Sequence, residues 1–124
     1  MTEKTSIPKP IRLWVEALRS GKYKQTTTTL EDEDGLCCLG VACRTAQNNG
    51  IHVKEQFNNH LVGASFQDQP ETLKWLNLAT NNGSSSILIN PSLTALNDKE
   101  NFTFLEIADY IEKYWKNLVR EYPL

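Results

Sequence analysis

The sequence predicts a mostly helical α+β domain with one small antiparallel β-hairpin after the first helix. Apolar residues recur at helical spacing near both ends of the chain, over 11–18 and 104–118. Between these segments lies YKQTTTTL (23–30), which is rich in β-branched residues and therefore favours a strand. It is followed by Asp34-Gly35, a pair typical of tight hairpin turns.

Length, composition and charge restrict the class of protein. A chain of 124 residues buries a core without disulfide or metal support, so residues 1–124 are expected to form a single domain, with the polar segment 1–7 loosely ordered. The formal net charge is −2 and cations form no long run, so we expect no direct binding of nucleic acid. No apolar run approaches the roughly 20 residues of a membrane-spanning helix, so we expect no membrane partner.

Compartment is indicated by two features. The N-terminal stretch MTEKTSIPKPIR lacks the apolar core of a signal peptide. Three cysteines, an odd number, suit a reducing compartment better than a disulfide framework. The sequence therefore predicts a cytoplasmic protein.

The first helix should begin at Pro8–Pro10, because proline is tolerated in a first turn, and should end with Gly21 as a left-handed cap. Its buried stripe is predicted to be Ile11, Trp14, Val15 and Leu18. The hairpin then follows, with 23–30 as its first strand, EDEDG as its turn and LCC (36–38) as its second strand. The four threonines are interpreted as a solvated strand surface rather than a phosphorylation site.

Five further segments are predicted in the rest of the chain. A helix over 39–50 closes at Asn49-Gly50, and 51–69 is expected to hold a short strand and a loop. Helices are predicted at 70–78, after a capping box of Asp68 and Glu71, and from Pro91 onward, with Asn90 as the cap and Pro91 in first position. The last helix follows a capping box of Thr103 and Glu106, and its stripe is predicted to be Phe104, Ile107, Ala108, Ile111, Trp115 and Leu118.

No pattern of catalytic or metal-binding residues is evident. Cys37 and Cys38 are adjacent, so on a strand they point to opposite faces and do not share a metal; together with Cys43 they are interpreted as buried free thiols. His52 and His60 lack zinc-like spacing, and the EDED run lacks the calcium-loop pattern. We therefore predict no metal, no cofactor and no enzymatic activity.

The best candidate for a ligand-binding site is the end of the first helix. Arg19, Lys22, Tyr23 and Gln25 offer a planar cation, a second cation, a stacking ring and an amide, which together suit an anionic ligand with an aromatic ring. Cations near a helix C-terminus also complement the helix dipole, so a structural role remains the alternative. Asn97-Asp98 could tie a turn between helices, or Asp98 could orient Arg19.

Three segments, WVEALRSGKYKQ, GLCCLGVAC and ALNDKENFTFLEIADYIE, resemble a family of small proteins of unknown function met in bacteriophage and prophage genomes. They cover about half of the chain; the middle, 50–90, does not contribute. The matching positions are Trp14, Arg19, Ser20, Gly21, Tyr23, Gln25, Cys37, Cys38, Gly40, Asn97 and Asp98. This chain departs from the family pattern at TTTT, where glycine or arginine is common.

The resemblance implies a phage setting in the cytoplasm of a host bacterium, where small accessory proteins often counter host defence. We therefore expect a protein that sequesters a nucleotide-derived immune signal without turning it over, as a homo-oligomer with the ligand between subunits. Two alternatives stay open. One is an inhibitor of a host defence protein that binds through Tyr110, Tyr114 and Tyr122; the other is a small nucleotide hydrolase with His52 or His60 as base.

Overall fold

The computed structural model describes residues 7–83, 92–98 and 100–120. In this part of the chain five α-helices accompany one two-stranded antiparallel sheet. The elements in order are α1 (Lys9–Arg19), β1 (Glu31–Asp32), β2 (Gly35–Leu36), α2 (Cys38–Asn48), α3 (Pro70–Leu76), α4 (Leu93–Asp98) and α5 (Phe104–Leu118). The predicted fold class, α+β and mostly helical, is confirmed.

Helix α1 packs against both α5 and α2, and the two predicted stripes form much of the contact. Every residue predicted for the stripes of α1 and α5 is buried. Trp14 lies at the centre, where its Nε1 donates to the carbonyl of Cys38 at 3.0 Å and its ring meets that of Phe66 edge-on at 6.4 Å. The predicted orientation of both helices is therefore confirmed.

The start of α5 is fixed by side chains, as the sequence predicts. Thr103 Oγ1 accepts from the backbone N of Glu106 at 3.2 Å, and Glu106 Oε1 accepts from the backbone N of Thr103 at 2.9 Å. This reciprocal capping box satisfies two amides that a helix N-terminus leaves without partners. The predicted capping box is confirmed.

The hairpin is much smaller than predicted. Strands β1 and β2 are two residues each, paired Glu31 with Leu36 and Asp32 with Gly35. The prediction of a strand over 23–30 is wrong: within it only Gln25 forms a bridge, and that bridge to Leu36 is parallel. The second strand also stops early, because α2 begins at Cys38.

The threonine run explains the error in physical terms. Thr28 has a φ of 68°, a left-handed conformation that a β-branched residue rarely adopts and that no strand contains. Thr26 Oγ1 donates to Asp32 at 2.9 Å, and Thr29 Oγ1 donates to the carbonyl of Gly63 at 3.2 Å. The hydroxyls therefore tie a looped segment to its neighbours, which overrides the strand propensity of threonine.

The start of α3 differs from the prediction as well. The capping box of Asp68 and Glu71 is wrong, because the residue before α3 is Gln69 and no side chain caps the helix. The Gln69 amide is used elsewhere: its Oε1 accepts from the backbone N of Lys54 at 2.9 Å, and its Nε2 donates to the carbonyl of Lys54 at 2.8 Å. Pro70 does occupy the first turn, as predicted.

The other predictions for this half of the chain have mixed outcomes. Asn90 and Pro91, the predicted start of the fourth helix, lie outside the described residues. Asn97-Asp98 lies inside the last turn of α4 rather than in a turn between helices. None of the described helices is both long enough and apolar enough to cross a membrane.

Candidate functional site

Arg19 is the last residue of α1, and its guanidinium meets two carboxylates of α5. Its Nη2 lies 2.6 Å from Asp109 Oδ1 and 3.1 Å from Glu112 Oε1, and its Nη1 lies 3.3 Å from Glu112 Oε2. The hydrogen bonds that Arg19 donates to Glu112 and, to a smaller extent, to Asp109 raise the pKa of Arg19. Arg19 is therefore held by a pair of acids on α5, and Asp98 is not among its partners.

The turn after α1 sends the next two side chains in different directions. Ser20 Oγ donates to the carbonyl of Ala17 at 2.7 Å and accepts from the backbone N of Lys22 at 3.1 Å, while Gly21 takes the left-handed φ of 77°. The side chain of Lys22 is exposed, whereas Tyr23 is half-buried and packs against the core. Of these two, only Lys22 is fully open to a ligand.

Gln25 and Asn97 meet in an internal hydrogen-bond network. Gln25 Nε2 donates to Asn97 Oδ1 and to the carbonyl of Phe102, both at 2.8 Å. Asn97 Oδ1 also accepts from the backbone N of Cys38 at 3.2 Å, and its Nδ2 donates to the carbonyl of Thr26 at 2.8 Å. Since Asn97 is 1% exposed, this network joins the segment after α1 to α2 and α4 from inside the protein.

The six residues predicted to bind a ligand therefore do not form one site. Asp98 belongs with the internal network, because its Oδ1 accepts from Asn97 Nδ2 at 2.8 Å. In the described part of the chain, no hydrogen bond or ion pair joins Arg19 to Gln25 or Asn97. The residues that remain on the outside are Arg19 and Lys22.

A cleft between α1 and α5 contains Arg19. Its volume is about 210 Å³, and it is lined by Ile7, Arg12, Val15, Glu16, Arg19 and Glu112. Arg12 is exposed and makes no ion pair with any residue of the described ranges. The two arginines are seven residues apart on α1, which places them about 10 Å from each other along the helix axis.

The lining combines three kinds of chemistry. Guanidinium groups donate paired hydrogen bonds to phosphate or carboxylate oxygens. Carboxylates such as Glu16 and Glu112 accept hydrogen bonds from hydroxyl and amino groups. Ile7 and Val15 are buried apolar residues that give the cleft an apolar part. The volume is below the 300–1,000 Å³ or so of typical small-molecule pockets, so a ligand here would leave one side uncovered.

The cysteines match their predicted structural role. Cys37, Cys38 and Cys43 are all free and buried. Burial raises the pKa of the Cys37 thiol to about 11 and that of Cys43 to about 12, and it raises the pKa of Cys38 as well. Thiols of this kind are poor nucleophiles near neutral pH. Among the described residues no cluster of three or more His, Cys, Asp or Glu side chains could hold a metal ion.

The histidines lie outside the cleft. His52 is exposed, and His60 is half-buried with its Nδ1 3.3 Å from Asn58 Nδ2. Neither lines the cleft between α1 and α5. A hydrolase that used one of them as a base would need to bind its substrate elsewhere.

Sequence reasoning missed a second surface feature, the loop over 55–61. The loop is closed by a bridge between Glu55 and Leu61, and Phe57 at its tip is fully exposed. It is held from α2 by Arg44, which bonds to Glu55 Oε2 at 2.6 Å and to the carbonyl of Asn59 at 2.8 Å. The only available sequence signal was the pair Asn58-Asn59, which is common in turns.

The extent of the fold agrees with a family match. Residues 8–115, from the residue before α1 to the last turns of α5, match the family described as a domain of unknown function (DUF8296). The chain belongs to that family. Neither a curated protein nor a solved structure matches it.

Proposed function

We propose that this chain is a phage-type counter-defence protein that binds and sequesters a nucleotide-derived immune signal without turning it over. The phage setting rests on the resemblance of three segments to small bacteriophage proteins. The observation that carries the binding proposal is the cleft between α1 and α5, where Arg12 has no ion-pair partner in the described ranges and Arg19 lies two turns further along.

The cleft has a donor or acceptor for each part of a nucleotide. Arg12 and Arg19 donate to phosphate oxygens, and their spacing suits a ligand with more than one phosphate. Glu16 and Glu112 accept from sugar hydroxyls or from base amino groups. The ring of the base packs over the apolar part of the cleft.

Arg19 must exchange one partner when such a ligand binds. The Asp109 side chain is 74% exposed, so its bond to Arg19 is a surface ion pair. Exposed pairs contribute only about 0.2–1 kcal/mol, because both ions are well solvated when apart. A phosphate that approaches Arg19 from solvent therefore displaces Asp109 at small cost, while Glu112 continues to orient the guanidinium.

The charge balance of the cleft sets the expected salt dependence. Arg12 and Arg19 are opposed by Glu16, Glu112 and the neighbouring Asp109, so the cleft has no strong positive field. Binding then depends on close hydrogen bonds rather than on long-range attraction. We expect the affinity to fall only weakly as salt is raised.

The direct test is to incubate the purified protein with cyclic nucleotides and ADP-ribose derivatives, remove unbound ligand, and heat the protein. Release of an intact nucleotide supports sequestration. Release of an altered nucleotide shows hydrolysis instead, and would direct attention to His52 and His60. Absence of binding across the whole panel would contradict both readings and favour a protein inhibitor.

Substitution of cleft residues tests whether a bound nucleotide occupies the cleft. Arg19→Ala should weaken binding by about 1.5–3 kcal/mol, as expected when a charged hydrogen bond is lost, and Arg12→Ala should act in the same direction. Arg120→Ala, which removes an exposed arginine outside the cleft, is the matched control. Asp109→Asn should tighten binding, because it removes the competing charge. Unchanged nucleotide affinity in both Arg12→Ala and Arg19→Ala would exclude this cleft as the binding site.

A second candidate function is favoured by a separate observation on α5. Tyr110 and Tyr114 are both half-buried, and their rings lie 4.8 Å apart on the flank of the helix that is turned away from Asp109 and Glu112. Paired tyrosines at a surface are common in protein interfaces. An inhibitor of a host defence protein would use this pair; Tyr122, the third predicted residue, lies outside the described ranges.

A further inference from the structure

The most exposed apolar side chain of the described residues is Phe57, at the tip of the 55–61 loop. Exposure of a whole phenyl ring to water is unfavourable relative to burial. The ring of Phe57 is therefore available to pack against the surface of another molecule.

The loop presents Phe57 rigidly. The backbone N of Gln56 donates to the carbonyl of His60 at 2.7 Å, and the backbone N of Asn59 donates to the carbonyl of Gln56 at 2.9 Å. Arg44, from the buried helix α2, holds the loop through Glu55 and the carbonyl of Asn59. Binding through a loop that is already ordered costs little conformational entropy.

An acidic turn lies beside this loop. Arg44 Nη2 also bonds to Glu31 Oε1 at 2.5 Å, and the same oxygen accepts from the backbone N of Leu61 at 2.9 Å. The hairpin turn that follows Glu31 carries Glu33 and Asp34, both exposed and without an ion pair in the described ranges. Glu33, Asp34 and Phe57 together form what we call the acidic edge.

A depression lined by two lysines, one glutamate and one tryptophan lies on α5 of the same chain. Its volume is about 270 Å³, and it is lined by Glu112, Lys113, Trp115 and Lys116. Trp115 gives it an apolar wall, and the ammonium groups of Lys113 and Lys116 lie over the rings of Tyr114 and Trp115. A cavity of about 150 Å³ accommodates benzene, so the depression has room for one phenyl ring.

We propose that the acidic edge of one copy of this chain docks into the depression of a second copy. Phe57 enters beside Trp115, while Glu33 and Asp34 meet Lys113 and Lys116. The charges are complementary within one sequence, so the chain carries both halves of its own interface. If two copies exchange these contacts reciprocally the product is a closed dimer, and if they do not the contacts continue into a ring or a chain.

This interface would also affect the cleft. Glu112 lines both the depression and the cleft between α1 and α5, so a docked copy would stand beside the uncovered side of the cleft. The inference does not rest on the proposed function, because self-association requires no nucleotide. It is therefore tested on the purified protein alone.

The first test is sedimentation velocity over a concentration series. The unaltered protein should self-associate, and Phe57→Ser should raise the dissociation constant about tenfold or more, as loss of a buried phenyl ring requires. Leu105→Ser is the matched control, since Leu105 is the other large apolar side chain exposed in the described ranges and lies about 15 Å along α5 from Trp115. A protein that is monomeric up to its solubility limit overturns the proposal, and so does equal behaviour of Phe57→Ser and the unaltered protein.

The second test is charge reversal with rescue. The double variant Glu33→Lys/Asp34→Lys and the double variant Lys113→Glu/Lys116→Glu should each be monomeric, because like charges then face each other across the interface. When the two variants are mixed, they should associate again, because the reversed acidic edge of one variant matches the reversed depression of the other. The two unaltered surfaces also match, so this holds for a closed dimer and for a ring or chain. Two monomeric variants that stay monomeric when mixed would show that these two surfaces do not pair. All of these substitutions lie at exposed positions or at the rim of the depression, and circular dichroism checks that each variant is folded.

Discussion

Asn97→Ala should destabilise the fold strongly and leave ligand binding by the folded fraction unchanged. The Asn97 amide joins three segments that are distant in sequence: it accepts from Gln25 Nε2 and from the backbone N of Cys38, and it donates to the carbonyl of Thr26. Cys38 opens α2, and the residue before it provides no side-chain cap. Asn97 therefore acts as a cap for α2 from a different helix.

The size of the effect follows from the groups that lose a partner. The backbone N of Cys38 is fully buried, and an unsatisfied buried donor costs about 1–3 kcal/mol. The carbonyl of Thr26 belongs to a half-buried residue and contributes less, and Gln25 Nε2 keeps its bond to the carbonyl of Phe102. The sum predicts a loss of about 2–4 kcal/mol in the free energy of unfolding.

Urea unfolding, followed by circular dichroism and by the fluorescence of the buried Trp14, measures this loss. Asn58→Ala is the matched control, because Asn58 is exposed and, among the described residues, its side chain bonds only to His60. The control should change stability by less than about 0.5 kcal/mol, as surface substitutions usually do. A loss of similar size for both variants would refute the capping role of Asn97 and would return it to the list of candidate ligand contacts.

Three further predictions concern the core, the threonine loop and the thiols. Ile107→Ala should cost about 2–5 kcal/mol in a thermal or urea melt, since Ile107 is completely buried; an unchanged midpoint would contradict the packing of α5. Thr28→Gly should stabilise the protein by about 1 kcal/mol, because glycine adopts the left-handed φ of 68° without strain, and a loss of stability would show that the Thr28 side chain makes a needed contact. Burial raises the pKa of Cys37 from 9.0 to about 11, so the stability that its neutral thiol provides is fully present below pH 9.0 and is lost as the pH rises through about 11. Rapid reaction of Cys37 with a thiol reagent in the native protein at pH 8 would contradict its burial.

The sequence predicted an element of the fold correctly where the residues that determine it are close together in the chain. The stripe of α5 and its capping box are encoded within about four turns of chain, and both are confirmed in full. The strand over 23–30 failed because strand propensity describes a residue on a pleated surface, whereas Thr26 and Thr29 bond to Asp32 and Gly63. The helix start at Pro70 was predicted correctly, but the capping box at Asp68 failed because Asp68 ends a short 3₁₀ turn over 66–68 and Gln69 is the residue before the helix.

The candidate site was predicted less well, because residue type does not reveal which partner a side chain meets. Gln25 and Asn97 are polar and lie in loop-like sequence, yet each lies in a network that is assembled from segments more than 70 residues apart. Asp98 was the partner suggested for Arg19, but its partners Asp109 and Glu112 are some 90 residues distant and carried no sequence signal. Distant pairing of this kind becomes visible only once α1 and α5 are packed together.

The residues that carry the family resemblance separate into two groups with different roles. Gln25, Asn97 and Gly40 are explained by the fold, Gly40 because a Cβ atom there would lie 2.1 Å from the carbonyl oxygen of Leu30. A motif made of such residues identifies a fold and says little about a ligand. Arg19 is different, because its guanidinium bonds to Asp109 and Glu112 at the surface and also lines the cleft that contains Arg12. We therefore expect the proposed binding to involve the outer surface of α1, where Arg12 and Arg19 share one cleft.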